Sequence, residues 1–124
     1  MLDLKGTEII MTLSIDTLVI FAAGKGTRMG NISNETPKPL IKIAGKPLLY
    51  YSLEKALSYG FKRVIINSHH LADQINEAAH EFRTNNPNCP EIIIEYESIL
   101  LETGGTIKKL YHKYQLESPV FTMN

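Results

Sequence analysis

Between Ala22 and Leu40 the chain gathers three cations, two closely spaced glycines and two prolines: Ala22-Ala23-Gly24-Lys25-Gly26-Thr27-Arg28-Met29, then Thr36-Pro37-Lys38-Pro39-Leu40. Glycines at this spacing let a backbone approach an anion and aim N–H groups at it. Arg28 offers a planar fork for phosphate oxygens, and Lys25 a mobile point charge. Lys38 stands between prolines, so its backbone is stiff, and its ammonium can meet developing charge without reorganising. The chemistry such a set suits is the handling of a polyphosphate. Two well-known phosphate loops do not account for it. A P-loop needs Lys and then Ser or Thr directly after its last glycine, and Gly26 is followed by Thr27. A dinucleotide fingerprint needs its third glycine one residue earlier than Gly30, and an acidic residue about 20 positions on. Taken alone, the loop is also compatible with a plain surface turn.

The elements that must position this loop follow from hydrophobic patterning. Leu18 to Ala23 is a short apolar run rich in strand formers, and it reads as a strand buried on both faces. The stretch from Gly24 to Pro39 is a long loop with one helical turn, a length usually reserved for function. Pro47 opens a helix whose face is Leu49, Leu53, Ala56 and Leu57, and Gly60 stops it. Arg63 to Asn67 is a second strand. Ile75, Ala78, Ala79 and Phe82 mark a second helix, and Glu91 to Tyr96 a third strand. Ile107, Leu110, Tyr111 and Tyr114 mark a third helix opening after Gly104-Gly105, and Pro119 to Met123 is a fourth strand. The alternation predicts a Rossmann-like three-layer α/β/α fold with a mostly parallel sheet. Ligands in such sheets bind beyond the carboxyl ends of the strands. That edge receives the Gly24 loop, His69-His70, the segment from Ser98 to Gly105, and Asn124. Residues 1–16 read as an amino-terminal extension and 17–124 as one partial nucleotide-binding domain, with Met11 an alternative start.

The motifs resemble the signature of sugar-phosphate nucleotidyltransferases: a strand, Ala-Ala-Gly-x-Gly-Thr-Arg-Met/Leu, a loop, Thr-Pro-Lys-Pro-Leu, a short strand and Gly-Lys-Pro opening a helix. Here the later parts are Thr36 to Leu40, Ile41 to Ala44, and Gly45-Lys46-Pro47. The resemblance runs from Leu18 to Asn124. Leu100-Leu101-Glu102-Thr103-Gly104-Gly105 is most similar to the uridylyltransferases acting on N-acetylmuramate 1-phosphate, with guanylyltransferases acting on mannose or heptose 1-phosphate close behind. The resemblance implies a nucleoside triphosphate (UTP or GTP), a sugar 1-phosphate and Mg²⁺, with pyrophosphate leaving as the sugar phosphate attacks the α-phosphorus. By motif position, Gly24, Gly26 and Thr27 wrap the phosphates, Arg28 stabilises the leaving pyrophosphate and Lys38 binds the phosphate under attack. Ala22 and Ala23 line the base pocket; Glu102, Gly104 and Gly105 hold base or ribose.

The family pattern continues past the fourth strand into Gly-Asp, whose aspartate is a magnesium ligand. That implies metal ligands beyond Asn124 and none within this chain, with the carboxyl-terminal part of the fold missing. Two readings stay open: a piece of a working nucleotidyltransferase, or a non-catalytic nucleotide-binding or assembly fragment. A cytidylyltransferase of isoprenoid synthesis shares Ala-Ala-Gly-x-Gly but predicts other residues after Pro37-Lys38.

Bulk composition narrows the partners. Thirteen basic residues balance thirteen acidic ones, so no global field exists to hold nucleic acid or an anionic membrane. No apolar run approaches the roughly 18 residues of a membrane span, and the cytoplasm is the default expectation. The single cysteine, Cys89, forbids an internal disulfide and reads as an incidental loop thiol. His69-His70 read mainly as a solvated loop pair and secondarily as nucleotide contacts. Asn67, at a strand end, reads equally as a cap of the next segment or a ligand contact. Tyr50, Tyr51, Tyr111 and Tyr114 read as helix packing. His80 and His112 read as helix surface, and Asp16 and Asp73 as surface charges. An exposed last strand would favour self-association.

Overall fold

The computed structural model describes residues 16–23, 35–97, 103–114 and 120–123. In chain order these form β1 (Thr17–Ala22), a 3-10 turn (Lys38–Leu40), β2 (Lys42–Ile43), β3 (Lys46–Pro47), α1 (Leu48–Tyr59), β4 (Arg63–Ser68), α2 (Ala72–Asn85), β5 (Glu91–Tyr96), α3 (Thr103–Tyr114) and β6 (Val120–Met123). Four strands make one parallel sheet in the order β5-β4-β1-β6. The predicted strands and helices all appear, with bounds displaced by a residue or so. The largest difference is at α3, which starts at Thr103 and takes Gly104-Gly105 into its first turn.

Side-chain alternation splits the sheet into two faces. Leu18, Ile20, Val64, Ile66 and Ile92 meet Leu49, Leu53 and Ala56 of α1 and Ile75, Ala79 and Phe82 of α2 in one core. Val19 and Ile65 meet Leu110 of α3 in a second, flanked by Phe21, Ile93 and Tyr114. Helices thus cover both sides, as a parallel sheet requires. Cys89 is a free thiol in the loop before β5, and it packs half-buried against the first core as a small hydrophobe.

Local chemistry fixes the helix entries and exits. Gly60 ends α1 in the left-handed region at φ 81, and its N–H meets the carbonyls of Ala56 and Leu57. β2 and β3 form an antiparallel hairpin turned by Ala44 and Gly45, both at positive φ, the backbone that a tight two-residue hairpin turn demands. The hairpin is stapled to α1: the Tyr51 hydroxyl donates to the Ile43 carbonyl at 2.7 Å, and Lys46 pairs with Glu54 at 2.6 Å while lying over the Tyr51 ring. Tyr50 meets Phe82 edge-on at 5.2 Å and donates to the Ala78 carbonyl. Tyr50 and Tyr51 are therefore packing residues, as expected.

α3 is held by an acid. Glu95 of β5 is 6% exposed and faces α3. The Lys113 ammonium donates to both its oxygens at 2.8 and 2.9 Å, the Tyr114 hydroxyl donates at 2.6 Å, and Lys109 lies at 3.4 Å. Burial pushes the Glu95 carboxyl up, but the hydrogen bonds from Lys113 and Tyr114, with the Lys113 charge, outweigh it and hold it below the ordinary carboxylate value. A carboxyl lowered in the folded state adds stability above its unfolded pKa, about 4.3. That stability drains as pH falls through the folded value. Glu95→Gln should therefore melt at a lower temperature than the parent at pH 7, and the gap should close on acidification below about pH 4. Thermal melts followed by circular dichroism across pH 3 to 8 test this; a gap that persists unchanged at pH 3 contradicts it.

Candidate functional site

The chain runs from β1 to β4 and β5 on one side, then returns to place β6 on the other side of β1. The strand order therefore reverses at β1, and the carboxyl ends of β1 and β6 flank the crevice where open α/β sheets take ligands. β1 ends at Ala22, and both Ala22 and Ala23 are buried. The Ala22 N–H is satisfied from the neighbouring strand: buried Asn67 accepts it through Oδ1 at 2.7 Å. Asn67 was expected either to cap the segment that follows it or to touch ligand; the structure instead pairs its side chain with the end of the earlier strand β1. It closes the end of β1, across 45 residues of sequence, where Gly24 follows in the chain.

One step along the same edge, backbone and side chains interlock β4, β5 and α3. The Glu97 N–H donates to the Ser68 carbonyl at 2.7 Å. The Glu97 carbonyl accepts from His69 Nδ1, which fixes the imidazole tautomer with its proton on that nitrogen. The His69 ring stacks near Tyr96 at 6.3 Å. His69 is half-buried and anchored, which corrects its reading as a solvated loop residue. Thr106, in α3, is buried and donates to Glu97 Oε2 at 2.7 Å. Two buried oxygens at this edge, Ser68 Oγ and Glu97 Oε1, have no hydrogen-bond partner among the described residues. Buried polar atoms are nearly always paired, so such exceptions concentrate interest.

Lys38 approaches from outside the sheet. It is exposed on the 3-10 turn that follows buried Pro37. The turn is closed by Leu40 N–H to the Pro37 carbonyl at 2.8 Å and Ile41 N–H to the Lys38 carbonyl at 3.1 Å. Leu40 packs on the first core, and Gln74 of α2 donates to the Glu35 carbonyl at 2.8 Å. The backbone under Lys38 is thus fixed by packing and hydrogen bonds as well as by prolines.

Of the residues the sequence singled out, the structure places Ala22 and Ala23 at the switch point, Lys38 on its turn, and Gly104 and Gly105 in the first turn of α3. Gly24, Gly26, Thr27, Arg28 and Glu102 lie outside the described residues. Sequence reading passed over Ser68, Glu97 and Thr106. The alternation of β5 gave no signal for Glu97, since its parity already carries Glu91 and Glu95 beside Ile93. Among the described residues no three His, Cys, Asp or Glu side chains converge on a metal-sized site, and no helix is long and apolar enough to cross a membrane.

Comparison with known proteins places this architecture. The sequence pattern of the MobA-like NTP transferase domain matches residues 18–92. N-acetylmuramate alpha-1-phosphate uridylyltransferase of Caulobacter vibrioides is 38% identical over 109 residues, covering 86% of this chain and 43% of its own. UTP–glucose-1-phosphate uridylyltransferase of Synechocystis is 44% identical over 57 residues, covering 46% of this chain and 15% of its own. The crystal structure of HddC from Yersinia pseudotuberculosis complexed with GMP-PN superposes with a TM-score of 0.70 at 33% identity, over 87% of this chain and 47% of that one. The chain thus spans less than half the length of each.

The Asn67 contact makes a direct prediction. Asn67→Ala leaves the buried Ala22 N–H without its acceptor, at a cost of about 1–3 kcal/mol. Urea denaturation should show the loss, and an unchanged midpoint would remove Asn67 from its capping role.

Proposed function

The chain belongs to the MobA-like NTP transferase domain family, and from that premise we propose that it is the nucleotide-binding part of a nucleotidyltransferase that makes an NDP-sugar and pyrophosphate from an NTP and a sugar 1-phosphate. UTP or GTP is the donor. The observation that carries this reading is positional. Gly24-Lys25-Gly26-Thr27-Arg28 follows directly on β1, the strand at which the sheet order reverses. Relatives bearing uridylyltransferase names, and a solved neighbour holding GMP-PN, support it.

In this reading a phosphate oxygen of the sugar 1-phosphate forms a bond to the α-phosphorus. The bond from that phosphorus to the bridging oxygen of the β-phosphate breaks, and pyrophosphate departs with the electron pair. The protein's share is positioning and charge stabilisation. Backbone N–H groups of Gly24, Gly26 and Thr27 wrap the triphosphate, and Ala22 and Ala23 border the base. Arg28 neutralises charge growing on pyrophosphate. Lys38, on its rigid turn, holds the phosphate under attack. Glu102, Gly104 and Gly105 hold base or ribose. When bound with the triphosphate, Mg²⁺ would neutralise phosphate charge. The described side chains do not by themselves compose a site for it.

A cytoplasmic setting accords with soluble nucleotide substrates. β6 lies at the edge of the described sheet, and pairing of such an edge with a second copy is the route we propose for self-association.

A thermal-shift panel of UTP, GTP, CTP and dTTP with Mg²⁺ tests the reading, because a ligand of the folded state raises its melting temperature by mass action. UTP or GTP should give the largest rise, and no rise with any of the four sinks the proposal. Binding without pyrophosphate release when a sugar 1-phosphate is added points instead to a non-catalytic nucleotide-binding fragment. Arg28→Ala should weaken triphosphate binding far more than Lys46→Ala, since Lys46 is already engaged with Glu54 and Tyr51. Equal losses in a calorimetric titration would exclude the role given to Arg28.

A further inference from the structure

We infer that Glu97 and Thr106 form a positioning latch that sets the first turn of α3, and with it Gly105, against the carboxyl edge of the sheet for recognition of the nucleoside part of the ligand. The inference rests on the nucleotide-binding reading above. Glu97 is 1% exposed and Thr106 is fully buried. The Thr106 hydroxyl donates to Glu97 Oε2 at 2.7 Å, which ties the end of the sheet to a helix that begins six residues later in the chain. The main chain of Glu97 is itself held on both sides, by the Ser68 carbonyl and by the His69 ring. Glu97 therefore transmits the position of β4 to α3. Gly105 is exposed and adjoins Thr106, so any rotation of α3 that breaks the latch displaces Gly105.

Energetics favour a directional role over simple cohesion. A buried carboxylate with an unpartnered oxygen is costly. An apolar pair of similar volume would cover the same contact without that cost. What the acid adds is direction, because a hydrogen bond fixes the angle and distance of its partner while apolar burial does not. Glu97 and Thr106 are positioning residues in this scheme. The phosphate grip belongs to a different part of the chain, the cations Lys25, Arg28 and Lys38.

That separation supplies the test. Affinities of the 124-residue chain for UTP, for GTP and for inorganic tripolyphosphate are measured by calorimetry for the parent, Thr106→Val and Glu97→Gln. Thr106→Val should lose roughly tenfold in affinity for the better nucleotide, the scale of about one lost hydrogen bond, while tripolyphosphate binds as before. Glu97→Gln retains an oxygen that accepts from Thr106 and should keep most of the nucleotide affinity. Nucleotide affinity unchanged in Thr106→Val overturns the latch, and so does an equal loss for nucleotide and tripolyphosphate, which is what general destabilisation gives. If Thr106→Val does not fold, Thr106→Ser and Thr106→Ala replace it: Ser must preserve the preference for nucleotide over tripolyphosphate and Ala must reduce it, and equal behaviour rejects the inference. A parent chain that binds neither nucleotide nor tripolyphosphate fails the proposed function itself, and the latch with it. A parent that binds both, beside an indifferent Thr106→Val, fails the latch alone.

Discussion

Two carboxylates, two residues apart at the end of β5, decide where α3 sits. Glu95 takes Lys113 and Tyr114 near the end of the helix, and Glu97 takes Thr106 near its start. Between them, among the described residues, Val19 and Ile65 of the sheet meet Leu110, with Phe21, Ile93 and Tyr114 packed beside them. Hydrophobic burial supplies cohesion there but little direction. Bonds of fixed length and angle add that direction. On the opposite face α1 and α2 interdigitate with the sheet through Leu49, Leu53, Ile75, Ala79 and Phe82, and Tyr50 donating to the Ala78 carbonyl and Arg83 to the Ile92 carbonyl add direction there too.

The consequence reaches the candidate site through the sheet order. β1 is flanked by β4 on one side and β6 on the other, so its carboxyl end opens onto the crevice. Asn67 secures that end from β4, and Glu97 links the next position of the same edge to α3. Both contacts are long-range in sequence or cross from one element to another. The edge on which the glycine-rich loop begins is therefore set by side-chain hydrogen bonds as well as by the strand ladder. Under the proposed function, such an edge would supply preorganisation, holding a ligand in place without rearrangement.

The fold was legible in the sequence because each element announces itself locally. Leu18 to Ala23 is an apolar run of strand formers. Leu49, Leu53 and Ala56 repeat at helical spacing, and Gly60 stands where a left-handed residue is required. The Gly24–Arg28 and Thr36–Leu40 motifs were legible for the same reason, since their chemistry is written in adjacent residues. What escaped was pairing. Nothing near Asn67 in sequence says that its acceptor is for Ala22, and nothing near Thr106 says that its hydroxyl is for Glu97. His69 had the outward look of a solvated loop residue until the Glu97 carbonyl came within reach. Cys89, in a turn rich in Asn and Pro, gave no sign that it packs against the first core. The start of α3 was misplaced because two glycines, poor helix formers, sit inside its first turn.

The same division explains why family and specificity separate. Phosphate recognition uses backbone N–H groups and cations, and every nucleoside triphosphate presents the same phosphates to them. The formal charge of the chain is balanced, so in the proposed function attraction to such an anion would come from Lys25, Arg28 and Lys38 acting over short range, not from the field of the whole molecule. A motif built for that task identifies the family and is silent on the base. In the same proposal, discrimination among bases would fall to groups at the strand ends and the first turn of α3, where the geometry of hydrogen bonds decides. A loop of three cations tolerates small displacements because Coulomb attraction changes slowly with distance. A hydrogen-bonding edge does not, and it is at that edge, at Asn67, Glu97 and Thr106, that the fold spends buried polar groups.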